Sequence, residues 1–200
     1  MPYFQGRPWP DGVAVLHVYA VPDVRVVDGL GELVAGVHRA LRGYPVAPLG
    51  LDRLHVTLEM VVDADADRIG TAERAALAGG LRRELAGSGA VGVRLGPPLV
   101  TDGGVVLDVR PGDALDELRE RIRAGVRAVR GDAALGPGPG APHMSVGYAY
   151  GDAEPGSLRE VLRGLGSVAY RIGEVELLGV RYGQGTGWDW ERIARVPFGT

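Results

Sequence analysis

The 200-residue sequence contains no cysteine and no lysine. Without cysteine the chain has no disulfide, no thiol nucleophile and no zinc–thiolate site. All 22 basic residues are therefore arginine, in a sequence that is also rich in glycine, alanine, valine and proline. We interpret this bias as the imprint of a GC-rich coding sequence, so the absence of lysine carries no mechanistic meaning.

The sequence also lacks a long apolar run. The N-terminal segment from Val13 to Val21 is interrupted by His17 and Tyr19, and it is too short to span a bilayer. No basic region followed by an uninterrupted apolar segment is present, as a secretory leader would require. The sequence therefore predicts no membrane segment, and we expect a cytoplasmic protein.

Strong charge of either sign is missing as well, since the formal net charge is −3. Proteins that bind long nucleic acids usually carry a basic stripe that neutralises phosphates, and none is visible here. We therefore expect no extended nucleic-acid surface. A small phosphate ester or an RNA end as the ligand stays compatible with this net charge, because a local site can be cationic within a weakly acidic protein.

The length and the 46% hydrophobic content are sufficient for one domain with a sizeable core. β-branched and apolar segments predict strands around both histidine motifs described below and also near 13–20, 91–95, 105–109, 175–182 and 188–198. Spacing of 3.6 residues predicts helices near 30–41, 71–86, 115–129 and 158–165. We expect a single domain over residues 1–200, and a monomer by default, since the sequence does not determine the oligomeric state.

The predicted elements form two similar halves, approximately 13–95 and 104–182. Each half has a strand, an amphipathic helix and a second strand that carries a histidine. His17 aligns with Asp108 in this comparison, and nearly equal numbers of residues separate them from His55 and His143, respectively. This spacing predicts a duplicated strand–helix–strand unit whose halves pack about a pseudo-twofold axis.

A histidine and a hydroxyl residue lie two positions apart in each half. His55 and Thr57 occur in one apolar run, and His143 and Ser145 occur in another. Alternate side chains of a strand point to the same face, so each pair would face one way while its apolar neighbours face the core. Two imidazoles that are each accompanied by a hydroxyl indicate an acid and a base acting on an anionic group.

The paired motifs, their spacing and the internal symmetry resemble the 2H phosphoesterases, which include 2'-5' RNA ligase-like proteins and RNA 2',3'-cyclic phosphodiesterases. Pro142 before the second histidine also resembles that family's second motif. The resemblance implies an α+β, bilobal, pseudo-symmetric fold with two antiparallel sheets flanking a central cleft and helices outside. Two departures concern the substrate: Glu59-Met60 replaces a common aromatic–glycine pair, and Tyr148 replaces an arginine of many bacterial members.

The family resemblance also implies the chemistry, which is hydrolysis of a 2',3'-cyclic phosphate of a nucleotide or RNA terminus to a 2'-phosphomonoester. His55 would donate a proton to the leaving oxygen and His143 would activate water, although the sequence alone does not assign these roles. Thr57 and Ser145 would bind the non-bridging phosphate oxygens. No metal and no cofactor are required.

Two alternatives use the same residues. The first is a module that binds a nucleotide or an RNA end without turnover. The second is a metallohydrolase in which Glu59, expected on the His55 face of its strand, completes a set of metal ligands with both histidines.

Other polar residues and aromatics receive less specific interpretations. His17 and Tyr19 are expected to be packed rather than to line the cleft, and Arg53 is not expected to be a ligand. Trp188 and Trp190 fit a core better than a nucleobase site. The run of arginines from 119 to 130 is expected to form the solvated face of a helix.

Overall fold

The structure is a computed structural model, which describes residues 3–4, 7–8, 12–138, 140–152, 154–183 and 187–199. Within these ranges the α-helices are α1 (Leu30–Ala40), α2 (Thr71–Leu85), α3 (Gly112–Arg130) and α4 (Pro155–Leu162). The strands are β1 (Tyr3–Phe4), β2 (Arg7–Pro8), β3 (Ala14–Ala20), β4 (Val46–Pro48), β5 (Val56–Met60), β6 (Val91–Thr101), β7 (Gly104–Arg110), β8 (His143–Ala149), β9 (Val168–Ile172), β10 (Glu174–Gly183) and β11 (Gly187–Pro197).

The predicted mixture of helices and antiparallel strands is confirmed. The main sheet has the order β11-β10-β3-β5-β8-β7-β6-β9, with β4 also paired to β8. The two predicted sheets are joined in its middle, where Val56 of β5 and Met144 of β8 are partners. The sequence could not show this junction, because it consists of a single residue pair between strands that are distant in the chain.

Each side of the main sheet contains strands from both halves of the sequence. Strand β10, from the second half, pairs with β3 of the first. Strand β6, from the first half, pairs with β7 of the second. The pseudo-twofold axis therefore passes between β5 and β8, and each side of the sheet is built by both halves.

The register of the sheet corrects the alignment of the repeat. Thr57 has Tyr19 as its partner across β3, and Ser145 has Val106 as its partner across β7. Tyr19 therefore corresponds to Val106, and the alignment of His17 with Asp108 is wrong. The predicted duplication still holds, because Tyr19 and Val106 are also separated from His55 and His143, respectively, by nearly equal numbers of residues.

The helices cover the sheet through the apolar stripes that the sequence predicts. On α3 these residues recur at helical spacing and are all nearly inaccessible: Leu115, Leu118, Ile122 and Val126. Removing one such side chain from water contributes about 1.5–3 kcal/mol. The helix ends at Gly131, whose φ of 79° suits a residue without a Cβ atom. Helix α2 packs against α3, and α1 packs against α4 and β8.

None of the helices in the described part of the chain combines the length and the apolar character that a bilayer span requires.

Candidate active site

The two histidine motifs meet on one face of the sheet. The partners Val56 and Met144 are both fully buried on the core side. The residues on either side of them therefore point to the opposite face. Continuing the antiparallel register from this pair places His55 next to Ser145 and Thr57 next to His143. The four predicted site residues are thus brought together.

Both imidazoles are anchored in the same way. His55 Nδ1 is 2.8 Å from the carbonyl oxygen of Arg53, and His143 Nδ1 is 2.9 Å from that of Ala141. In each motif the carbonyl belongs to the residue two positions upstream. Because a carbonyl only accepts, Nδ1 must carry the hydrogen and donate. This leaves Nε2 of each ring to accept or donate a proton.

Aromatic rings cover His55. The Tyr19 ring is stacked on it at 4.1 Å and 11°, and Trp190 meets it edge-on at 5.4 Å. Only 8% of His55 is exposed, whereas His143 is exposed. Burial lowers the pKa of His55 to about 4. The hydrogen bond to the Arg53 carbonyl opposes this effect and raises the pKa, whereas electrostatic repulsion from nearby His143 lowers it. His55 is therefore neutral at pH 7.

A buried hydrogen-bonded chain lies behind His55. His17 is hydrogen bonded through Nδ1 to the Tyr19 hydroxyl, which also hydrogen bonds to the Thr57 side chain. Burial, with a smaller contribution from the charge of His55, lowers the pKa of His17 to about 3. His17 and Tyr19 are buried, as the sequence suggested, and Tyr19 contacts both His55 and Thr57 of the first motif.

The second motif opens onto a cleft of about 1070 Å³. His143 and Ser145 lie on its wall, and Tyr182 and Trp188 line it as well. Among the described residues, the arginine and aspartate side chains that line the cleft are Arg53, Asp102 and Asp189. The cleft is therefore aromatic with mixed charge.

The expectation that Arg53 is not a ligand stays a prediction, but the argument that placed Arg53 on the face opposite His55, away from the cleft, is wrong. Arg53 lines the cleft, with its guanidinium carbon 5.0 Å from the Trp190 ring centroid and Nη2 3.0 Å from an oxygen of Asp189. The sequence argument treated position 53 as part of the His55 strand. In the structure, Leu51–Arg53 forms a 3₁₀ turn, so strand alternation does not apply there.

An extra residue interrupts the strand pairing at the same place in both motifs. Leu58 in β5 and Val146 in β8 have no partner in the register, which is a β-bulge three residues after each histidine. A bulge reverses the alternation of side chains beyond it and is common beside active sites. The sequence gives no signal for it, because its cause is non-local pairing.

The first bulge turns Glu59 away from the motif face. Glu59 is 1% exposed and forms an ion pair with Arg123 of α3. The expectation that it shares the His55 face is therefore wrong. In the described part of the chain, no three side chains of the histidine, aspartate and glutamate types converge into a possible metal cluster.

Arg119 connects the two motifs from the helix side. It is 8% exposed, and its guanidinium lies 3.3 Å from the carbonyl oxygen of Thr57 and 3.0 Å from that of Gly140. The solvated face predicted for the arginine run is wrong here, because α3 turns Arg119 and Arg123 towards β5. A sequence pattern does not distinguish a buried arginine that binds backbone carbonyls from a solvated one.

The sequence matches the family described as the 2'-5' RNA ligase superfamily over residues 31–183, which is most of the chain. The chain belongs to the 2'-5' RNA ligase superfamily. This confirms the resemblance drawn from the two motifs. No curated protein matches the sequence significantly.

Several solved structures have a similar fold. TT0787 of Thermus thermophilus has a TM-score of 0.66 and 17% identity, with 92% of this chain and 97% of that chain covered. E. coli LigT in complex with NADP+ has a TM-score of 0.61 and 15% identity, covering 94% and 99%. The MHV ns2 PDE domain has a TM-score of 0.53 and 14% identity, covering 90% and 99%. At such identities the similarity shows the fold.

Proposed function

We propose that the protein is a metal-independent phosphodiesterase that hydrolyses a 2',3'-cyclic phosphate to a 2'-phosphomonoester. The observation that carries the proposal is the matched anchoring of His55 and His143 through Nδ1, which leaves Nε2 of each ring as the atom for proton transfer. Two imidazoles in this state can supply one acid and one base without a metal.

In the proposed reaction, water attacks phosphorus and the bond from phosphorus to O3' breaks. His143 takes a proton from the water, and His55 gives one to O3', so that the products are a 2'-phosphate and a free 3'-hydroxyl. Thr57 and Ser145 donate hydrogen bonds to the non-bridging oxygens. Donors aimed at these atoms stabilise the charge that develops in the transition state.

A nucleotide or an RNA terminus is the proposed substrate class. The aromatic side chains of the cleft offer surfaces on which a base can stack. The complexes of E. coli LigT with ATP and with 3'-AMP support this choice, since they show nucleotides bound to a protein of the same fold. The single arginine among the described cleft residues suits a small phosphate group better than a polyanion.

The experiment is steady-state hydrolysis of 2',3'-cyclic nucleotides with identification of the product isomer. Replacing His55 or His143 by Ala is expected to lower kcat by about 10²–10⁴-fold, because each change removes one proton-transfer group. His38→Gln is the matched control, because His38 lies on α1 outside both motifs. Its ring is hydrogen bonded to the Val146 carbonyl, and the variant is expected to match the wild type. Wild-type turnover in His55→Ala, or formation of a 3'-phosphate, would contradict the mechanism.

The same assay tests the two alternatives. A binding module would show affinity for the cyclic nucleotide without forming product; the observation that favours it is the burial of His55 under Tyr19 and Trp190, which lowers the pKa of the imidazole. A metallohydrolase would lose activity in excess EDTA. We expect full activity under that condition, since the Glu59 carboxylate is already paired with Arg123.

A further inference from the structure

Arg119 of α3 joins the strand of the first motif to the segment that precedes the second motif. Its Nη2 atom is 3.3 Å from the carbonyl oxygen of Thr57, and its Nη1 atom is 3.0 Å from that of Gly140. A guanidinium carries its donors in one rigid plane, so the two acceptors are held at a fixed separation. Arg119 therefore fixes the position of Gly140 relative to β5.

The segment before the second motif, residues 136–138 and 140, has little packing of its own. A Cβ atom on Gly140 would meet no atom of the described residues within 4 Å. The segment and α3 line a cavity of about 340 Å³, so they are not closely packed there. At the other end of the segment, Arg123 donates to the carbonyl oxygen of Gly136. Hydrogen bonds from α3 therefore hold the segment, because apolar contacts contribute little to its order.

The residue that follows Gly140 orients the second histidine. This residue is Ala141, whose carbonyl oxygen is 2.9 Å from Nδ1 of His143. The acceptor beside one ring nitrogen decides which nitrogen of a neutral imidazole carries the hydrogen. The His55 ring takes its acceptor from Arg53, in the 3₁₀ turn, and therefore does not depend on this segment.

We infer that Arg119 is a positioning residue, which keeps His143 in the Nδ1–H tautomer by holding the segment next to its carbonyl acceptor. The consequence for turnover rests on the proposed function, which assigns the role of the base to His143. The tautomer itself does not depend on that assignment, and it is measured on the protein alone.

The test replaces Arg119 by Met, which keeps a long unbranched side chain and removes both hydrogen bonds. Imidazole nitrogen chemical shifts, measured by NMR above neutral pH, identify the tautomer of each ring, and the His143 signals are assigned by their loss in His143→Gln. We expect the Nδ1–H form of His143 in the wild type and a mixture of tautomers in Arg119→Met, with His55 unchanged. In hydrolysis of a 2',3'-cyclic nucleotide, kcat is expected to fall by about 10²-fold with little change in KM, because the base is misdirected.

Arg121→Met is the matched control. Arg121 lies on the same helix and also donates to a backbone carbonyl, that of Glu84, but it is exposed. This variant is expected to match the wild type in both tautomers and in turnover. Thermal unfolding checks that each variant retains the fold. If Arg119→Met does not fold, Arg119→Lys makes the same test, because a flexible ammonium group does not hold two carbonyls in one plane.

The outcomes separate the role of Arg119 from the proposed function. An unchanged His143 tautomer in a folded Arg119 variant would overturn the positioning role, whatever the turnover. An equal change in His55 would show a general loss of the site and would overturn it as well. A wild type that hydrolyses no cyclic nucleotide would overturn the proposed function, while the tautomer measurement still decides the role of Arg119. A changed tautomer with unchanged kcat would support the positioning role and overturn the assignment of His143 as the base.

Discussion

His55 and His143 make the same hydrogen bond through Nδ1, but different surroundings cover their rings. Tyr19 and Trp190 enclose His55, while His143 lies on the cleft wall. Desolvation penalises the charged form of an imidazole, which is why the buried ring of the pair is neutral. If His55 is the acid, it must gain its proton together with the anionic substrate.

Binding of a cyclic nucleotide is therefore expected to take up a proton. The pKa of free His55 is about 4, and an adjacent anion raises an imidazole pKa by about 1–3 units. The protonated form binds the anion better, so affinity should rise as pH falls from 7 towards 5, by at most about tenfold per pH unit. Calorimetry in buffers of different ionisation enthalpy measures the uptake, with His143→Ala used to suppress turnover.

Adding His55→Gln to that variant is the control and should abolish the uptake. Affinity that is independent of pH, with no proton taken up by the His143→Ala protein, would show that His55 stays neutral. In that case the two histidines would exchange roles, with His55 as the base.

Among the elements, α2 and α3 show how a local preference and a packing requirement can oppose each other. The low helix propensity of the consecutive residues Gly79 and Gly80 weakens α2. Gly80 nevertheless lies at the contact with α3, where a Cβ atom would be 2.7 Å from the carbonyl oxygen of Gly125. The helices approach this closely because both lack a side chain at that point.

Gly79→Ala and Gly80→Ala are expected to change stability in opposite directions. At position 79 the nearest atom to a new Cβ is the end of the Arg83 side chain at 3.6 Å, so better helix propensity should stabilise the fold by about 0.5–1 kcal/mol. At position 80 the new methyl group meets backbone, and overpacking should cost about 1–3 kcal/mol. Urea unfolding of both variants measures the difference, and a shift of the same sign in both would contradict this account of the interface.

At the scale of the whole molecule, exchange of β6 and β10 makes the two halves of the sequence interdependent. Strand β3 loses its neighbour β10 if the second half is removed, and β7 loses β6 if the first half is removed. An unpaired strand edge with an apolar face is unstable in water. The unit that folds is therefore expected to be the full chain.

Separate fragments 1–102 and 103–200 are expected to lack cooperative structure, and their mixture is expected to regain it. The cut falls in the turn between β6 and β7, so it removes no internal residue of either strand. Far-UV circular dichroism and urea unfolding of each fragment, of the mixture and of the intact chain measure this. A cooperative transition in either isolated fragment would show that the half folds by itself.

Local patterns in the sequence determined most of the helices and strands and the residues of both motifs. Apolar spacing located α1 and α3, and alternation around His55 and His143 placed each histidine on the face of its hydroxyl partner. These features depend on neighbours three or four residues apart at most. They can therefore be read from the sequence without knowing what packs against them.

Only the tertiary structure decided the strand exchange, the bulges and the positions of Arg53, Glu59 and Arg119. Each depends on a partner far along the chain: the bulge at Leu58 exists only in relation to β3, and it turns Glu59 towards α3. Register and burial are properties of contacts between distant segments, and one extra residue in a pairing reverses every side chain beyond it.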